Sequence, residues 1–169
     1  ICDYYNNEWH DLRIVPFGKI PMSPTLSALH YGQSIFEGLK AYKTPNGEIT
    51  LFRPEENLNR LNRSADRMSM PHLPKEIFME ALSKLVNLDK DWIPSSVGSS
   101  LYIRPFMFAT DDFLGVKSSD NYSFMIYACP VSSYYAGNIK VKIEEHYTRA
   151  AAGGVGSAKC AGNYAASLY

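Results

Sequence analysis

The sequence predicts a mixed α+β fold in which strands flank a pair of amphipathic helices. Three observations predict it: alternating runs around a tight turn at 39–51, helical periodicity after Pro54 and again after Pro74, and two β-rich runs at 100–109 and 121–131. The chain has 169 residues, of which 46% are apolar and 13% aromatic. This content is enough for a buried core and too hydrophobic for a disordered tail.

The strand predictions differ in their basis. Residues 3–22 mix aromatic residues with short apolar pairs and predict one or two strands. Apolar and polar residues alternate on either side of Pro45-Asn46-Gly47, which predicts a hairpin. The runs at 100–109 and 121–131 are rich in aromatic and branched residues, so we expect both to be well-buried strands.

Two helices are predicted between these strands. Pro54 suits a first helical turn, and Glu55 and Glu56 complement the dipole there. The apolar residues that recur at helical spacing behind them, up to residue 68, are Leu58, Leu61, Ala65 and Met68. A second helix begins near Pro74 and ends before Ile93. Its apolar face comprises Ile77, Phe78, Ala81, Leu82, Leu85 and Val86.

The polar, glycine-containing stretch 132–138 predicts an interdomain linker. It separates a small N-terminal domain, 1–131, from the start of a second domain, 139–169, which opens with the strand-like run IKVKIEEHY. Ile1 is not an initiator residue, and the last segment begins like a helix without a stop signal. We therefore expect an excerpt of a longer chain, with the second domain truncated.

Composition excludes several classes of function. Seventeen Lys and Arg balance seventeen Asp and Glu, so no overall field favours nucleic acid or an acidic membrane. No apolar run approaches the roughly 20 residues of a membrane helix, and no signal peptide stands at the start. Cys2, Cys129 and Cys160 lack the spacing of a disulfide framework or a zinc site. They favour a reducing, cytoplasmic location without a bound metal.

The glycine-rich stretch GGVGSAKCAGNYAASLY, residues 153–169, contains a single lysine, Lys159. A phosphate-binding P-loop is disfavoured because Ala158 precedes this lysine and Cys160 follows it, and Lys159 occupies the place of the third glycine of a dinucleotide motif. Two interpretations remain. Lys159 is a solvated surface residue in a tight connection, or its small neighbours admit a bulky partner and the desolvated amine is a nucleophile toward aldehydes.

The segment GGVGSAKCAGNYAAS resembles the cofactor-lysine motif of the branched-chain amino acid aminotransferases, which are fold-type IV pyridoxal-phosphate enzymes. The resemblance covers nearly the whole chain and implies a complete small α/β domain followed by the truncated start of a larger cofactor-binding domain. It also implies pyridoxal 5'-phosphate as cofactor and a homodimer. The other segments that match, in the family's order, are SALHYGQSIFEGLKAY (27–42), LFRPEENLNRLNRSADRM (51–68), SSLYIRPFMFA (99–109) and FLGV (113–116).

The resemblance assigns roles around the cofactor. Lys159 matches the lysine that holds the cofactor as an imine in the resting enzyme and moves the proton during transamination. Tyr164 matches the tyrosine that bonds the cofactor's ring oxygen, and in a helix beginning near Lys159 it should face the same side. Arg60 matches the arginine that binds the phosphate. Arg63 and Arg67 share its flank, and on spacing alone all three would be a solvated face.

The resemblance also assigns a substrate wall. Tyr102 and Arg104 are two residues apart in a predicted strand, so their side chains leave the same face. In the family the matching arginine accepts the acidic side chain of glutamate; a structural ion pair is the alternative for Arg104. Phe36 and Tyr31 match aromatic pocket residues, the second reaching in from the neighbouring subunit. The remaining implied residues are Leu114 and Val116 from that subunit, Tyr134 at the pocket rim and Arg149 near the cofactor.

The implied reaction is transfer of the amino group of leucine, isoleucine or valine to 2-oxoglutarate, which gives glutamate and a branched 2-oxo acid. A D-amino acid aminotransferase or aminodeoxychorismate lyase of the same fold type would share the lysine, and a non-catalytic homologue would keep only the pocket. In the family the carboxylate that protonates the cofactor's ring nitrogen lies well after the lysine motif. Residues 1–169 alone are therefore not expected to be a working enzyme.

Overall fold

The computed structural model describes residues 1–133, Tyr135 and 137–168, and within them seven strands form one antiparallel sheet. The strand order is β2-β1-β7-β6-β4-β5, and β3 also pairs with β6. The longest strands, β6 and β7, pair along their full length and form the centre of the sheet. The strands are β1 (Cys2–Tyr5), β2 (Glu8–His10), β3 (Ser34–Phe36), β4 (Leu39–Lys43), β5 (Ile49–Leu51), β6 (Ser100–Ala109) and β7 (Tyr122–Val131).

The helices are α1 (Ser27–Tyr31), α2 (Pro54–Arg67) and α3 (Lys75–Leu88), with short 3₁₀ helices at Lys90–Trp92 and Ala161–Ser167. Helix α2 starts at Pro54, with two glutamates in its first turn, as the sequence predicts. Across the described part of the chain, every helix falls short of the length and apolar character that a membrane span requires.

The core lies between the sheet and helices α2 and α3. Leu61 of α2 and Phe78 of α3 join one hydrophobic cluster with Ile103 and Met107 of β6, and all four are fully buried. Because side chains alternate along a strand, the even-numbered residues of β6 near its middle point to the other face, where they are only partly buried. That second face carries the candidate site.

Strands β3 and β4 lie end to end along the same edge of β6. Ser34–Phe36 pair with the far half of β6 and Leu39–Lys43 with its near half, in one continuous register. Glu37 and Gly38 occupy the break between the two strands, where the Glu37 N–H still donates to the Pro105 carbonyl at 2.7 Å. This break faces the N-terminal half of α2, because the Asn57 side chain bonds both residues.

The hairpin, both long helices and both long strands confirm the sequence predictions, whereas α1 and β3 were not predicted. The strand predicted from IKVKIEEHY is wrong: residues 139–147 are irregular, and Ile139, Val141 and Ile143 are exposed. A strand needs a hydrogen-bonded neighbour, and the described residues provide none beside this segment. The boundaries 1–131, 132–138 and 139–169 stay a prediction.

Replacing Phe78 with alanine in the intact protein should lower the free energy of unfolding by about 3–5 kcal/mol, because a fully buried ring leaves a cavity. Phe78 contacts the Phe124 ring at a centroid distance of 6.3 Å, so β7 loses packing as well. Phe52→Ala is the matched control, since Phe52 is 76% exposed. Urea unfolding of both variants checks this, and similar losses in the two would contradict the assigned core.

Candidate active site

The backbone at Lys159 is held between strand β3 and helix α2. The Lys159 carbonyl accepts the Phe36 N–H at 3.0 Å, and Cys160 forms a β-bridge with Ile35, so this segment extends the sheet beside β3. On the other side, the Lys159 N–H donates to the buried Ser64 hydroxyl of α2 at 2.9 Å. These contacts fix where the lysine side chain begins.

The glycine-rich approach is bound to the helix that follows the lysine. Buried Asn163 donates from Nδ2 to the carbonyls of Val155 and Ala158, at 2.8 and 2.6 Å. Gly156 is required for close approach, because a Cβ there would lie 2.5 Å from the Ala150 Cβ. The predicted helix exists as a 3₁₀ helix that begins at Ala161 rather than near Lys159, since the lysine and the cysteine after it are extended against β3.

The Lys159 side chain lies in an aromatic corner. Its Nζ donates to the Tyr164 hydroxyl at 2.8 Å and lies 4.5 Å from the centroid of the Phe36 ring, within cation–π range. The Tyr164 and Phe36 rings are 5.0 Å apart. Lys159 and Tyr164 thus face the same side, and no carboxylate of the described residues forms an ion pair with the amine.

Arg60 lies one helical turn before Ser64 and pairs with Glu37. Its Nε donates to Oε1 at 2.5 Å and its Nη2 to Oε2 at 2.6 Å. The Glu37 side chain is fully buried, whereas that of Arg60 is 48% exposed. This hydrogen bonding raises the pKa of Arg60 above its usual value. The pair uses two of the five guanidinium N–H donors, so the others remain for a ligand.

The two neighbouring arginines of α2 do not reach this position. Arg63 is exposed, and Arg67 donates from Nη2 to the Gly154 carbonyl at 3.1 Å. Of the three arginines on this flank, Arg60 alone lines the cleft that contains Lys159.

Strand β6 supplies the opposite wall. Arg104 donates from Nε and Nη2 to the Tyr102 hydroxyl at 3.1 and 2.8 Å, and its guanidinium carbon lies 4.5 Å from the centroid of the Phe36 ring. The sequence predicted that Tyr102 and Arg104 leave the same face, and they do. The alternative of a structural ion pair finds no support, because the described part of the chain offers no carboxylate partner to Arg104.

These walls enclose an open cleft of about 690 Å³. It combines a primary amine, two guanidinium groups, a phenol beside the amine and several aromatic surfaces. Such a set suits an anionic, aromatic ligand that carries an aldehyde. The residues that line the cleft are Ser34, Phe36, Gly38, Arg60, Tyr102, Arg104, Phe106, Tyr127, Lys159, Ala161 and Tyr164.

Five predicted site residues are not in this group. Arg149 lies in an exposed, irregular stretch and does not line the cleft. Tyr31, Leu114 and Val116 are exposed on this chain, and their predicted role in a neighbouring subunit stays a prediction. Tyr134 lies outside the described residues.

Sequence reasoning missed several residues that build the site: Glu37, Gly38, Ser64, Tyr127 and Asn163. One of them carries a recognisable pattern. Glu37 alternates with Ile35 and Leu39 on the buried side of an edge strand. A buried carboxylate needs a cationic partner, so this alternation indicates a pairing with a nearby arginine.

No protein-family model matches the chain. It is 54% identical over 164 residues to branched-chain-amino-acid transaminase 1 of Bacillus subtilis (strain 168), covering 95% of this chain and 46% of that protein. It is 47% identical over 171 residues to the branched-chain-amino-acid aminotransferase of Mycolicibacterium smegmatis, covering 98% of this chain and 46% of the relative. The chain therefore spans about half the length of the curated relatives it matches.

Solved structures agree with these relatives. The crystal structure of the Escherichia coli branched-chain amino acid aminotransferase matches with a TM-score of 0.71 and 25% identity, over 99% of this chain and 53% of that one. A second bacterial-type structure, the T.th. enzyme of the same name solved with pyridoxamine 5'-phosphate, matches with a TM-score of 0.71 and 28% identity, over 98% of this chain and 53% of that one. By sequence and by fold, the chain belongs to the branched-chain amino acid aminotransferases of fold type IV.

Proposed function

We propose that the intact protein transfers the amino group of leucine, isoleucine or valine to 2-oxoglutarate, with pyridoxal 5'-phosphate as cofactor. The observation that carries the proposal is the amine of Lys159, bonded to Tyr164 inside a cleft that also contains two arginines. The names of the relatives support the same activity, and none of those compared above is named for the alternatives within the fold type.

The residues of the cleft fit this cofactor. A primary amine without an acidic partner suits the aldehyde, and the guanidinium of Arg60 has N–H donors to spare for a phosphate. The Tyr164 hydroxyl can donate its proton to the ring oxygen while it accepts the bond from Lys159. The T.th. relative was solved with a phosphorylated form of the same coenzyme, pyridoxamine 5'-phosphate, which supports the assignment.

The bound cofactor would supply an electron sink that acidifies the α-carbon of the amino acid. Lys159 would hold the cofactor through Nζ and, once released, serve as the base that moves the substrate's α-proton. Tyr164 orients this amine through its hydrogen bond, and the Phe36 ring limits the amine's access to water on one side. Positioning of a general base is the contribution that this half of the chain makes to the chemistry.

The opposite wall is proposed to accept two kinds of substrate side chain. Phe36, Tyr102 and Phe106 offer aromatic surface to a branched aliphatic group. Arg104 has free N–H donors and no carboxylate partner in the described structure, which suits the side-chain carboxylate of glutamate. Tyr134 at the rim is kept as part of this proposal from the sequence alone.

We also propose a cytoplasmic homodimer. In it, Tyr31, Leu114 and Val116 of one subunit would complete the pocket of the other, and their exposure on this chain leaves them available for that contact. Arg149 is proposed to approach the cofactor on the same grounds of resemblance. All three cysteines are free in the structure, as a reducing compartment would maintain them.

Replacing Lys159 with alanine in the full-length protein should lower kcat by at least about a thousandfold, because the variant loses both the attachment point and the base. The visible absorbance of lysine-linked cofactor should disappear with it. Lys84→Ala, on the exposed side of α3, is the control and should keep both properties. Normal turnover by the Lys159 variant, measured by amino-group transfer from leucine, would end the proposal.

Replacing Arg60 with lysine should weaken the binding of pyridoxal 5'-phosphate about tenfold and leave that of pyridoxal, which has no phosphate, unchanged. A lysine has no planar fork, so it loses both the pairing with Glu37 and the oriented donors toward the phosphate. Arg63→Lys makes the same change at a position away from the cleft and should alter neither affinity.

Fluorescence titration of the cofactor-free variants with the two compounds measures this difference. Equal losses for pyridoxal 5'-phosphate and pyridoxal would contradict a phosphate contact at Arg60, as would an equal effect of the Arg63 variant.

A further inference from the structure

Gly38, in the break between β3 and β4, leaves room for the hydroxyl of Tyr102. A Cβ on Gly38 would lie 2.6 Å from the Tyr102 Oη, 3.2 Å from its Cζ and 3.3 Å from its Cε2. No side chain fits at that distance unless the tyrosine moves. The backbone of Gly38 does not have the positive φ that favours glycine, so its space, and not its conformation, excludes a side chain.

The backbone around Gly38 is fixed and cannot yield to such a side chain. The Gly38 carbonyl accepts the Asn57 Nδ2 at 3.2 Å, and the same nitrogen donates to the buried Glu37 carboxylate at 2.9 Å. The Gly38 N–H also contacts that carboxylate at 3.2 Å, and Glu37 donates its own N–H to the Pro105 carbonyl. A Cβ at this position would therefore displace the Tyr102 hydroxyl.

The Tyr102 hydroxyl in turn orients Arg104. It accepts two hydrogen bonds from the guanidinium, at 3.1 and 2.8 Å, and these are the only hydrogen bonds that the described structure gives the Arg104 side chain. The one other restraint is the ring of Phe36, 4.5 Å away. Displacing the hydroxyl would leave the guanidinium free to turn within the cleft.

We propose that Gly38 determines specificity: by leaving space for the Tyr102 hydroxyl, it sets Arg104 to bind acidic side chains without affecting the binding of aliphatic ones. The inference rests on the proposed function. An acidic side chain needs the oriented N–H donors of Arg104, whereas an aliphatic side chain needs only the apolar surface beside them. Gly38 thus acts on one substrate class and spares the other.

The test is Gly38→Ala in the full-length holoenzyme, with two substrate-like acids as probes: glutarate, a dicarboxylate, and 4-methylvaleric acid, an aliphatic monocarboxylate. Calorimetry measures both affinities. The affinity for glutarate should fall about tenfold relative to that for 4-methylvaleric acid. The ratio of kcat/KM for glutamate to that for leucine should fall in parallel. Gly18→Ala is the matched control, because a Cβ there meets nothing within 4 Å, and it should leave both ratios unchanged.

A double-mutant cycle shows whether the effect passes through the hydroxyl. Tyr102→Phe removes the atom that a Cβ on Gly38 would strike, so Gly38→Ala should cause little further loss of glutarate preference in that background. Additive losses would overturn the proposal, and so would a single Gly38 variant that loses affinity for both acids equally. If Gly38→Ala does not fold, an unchanged ratio in Tyr102→Phe overturns it, and a lowered ratio supports it.

The wild-type protein separates this inference from the proposed function. Wild-type holoenzyme that binds neither acid and transfers no amino group would refute the proposed function itself. Wild-type activity toward both substrates, with an unchanged preference in Gly38→Ala, would refute only the role of Gly38.

Discussion

The site depends on the way the backbone at Lys159 is fastened between strand β3 and helix α2. The strand supplies the Phe36 N–H and the helix supplies the Ser64 hydroxyl, so the lysine starts from a position set by two core elements. Arg60 lies one turn before Ser64 on the same helix, and the Ser64 hydroxyl also donates to the Arg60 carbonyl at 3.0 Å. One helical turn therefore fixes both the amine and the guanidinium, and a shift of α2 would move them together.

The break at Glu37 and Gly38 serves the two arginines separately. Glu37 is a buried carboxylate, which is costly unless it is paired and hydrogen-bonded, and Arg60 and Asn57 provide those bonds. Gly38 instead contributes an absence of side chain, which lets Tyr102 reach Arg104. Two adjacent residues in an edge strand thus position one guanidinium at the proposed phosphate end and the other at the proposed substrate end.

The sequence predicted what depends on local periodicity, and missed what depends on distant neighbours. Alternation was enough to place Tyr102 and Arg104 on one face. Helical spacing could not separate Arg60 from the other arginines of its flank, and only the family resemblance did so. The run at 139–147 has strand periodicity but no partner among the described strands, so the pattern alone misled. The need for glycine at position 38 arises from Tyr102, far along the chain, and no local pattern indicates it.

The central claim is that the amine of Lys159 is the group that carries the cofactor. Borohydride reduction of the full-length protein with pyridoxal 5'-phosphate, followed by mass spectrometry of its peptides, tests it most directly. The account predicts a single phosphopyridoxyl label on the peptide that contains Lys159. A label on another lysine, or no label on a folded protein that is saturated with cofactor, would contradict it.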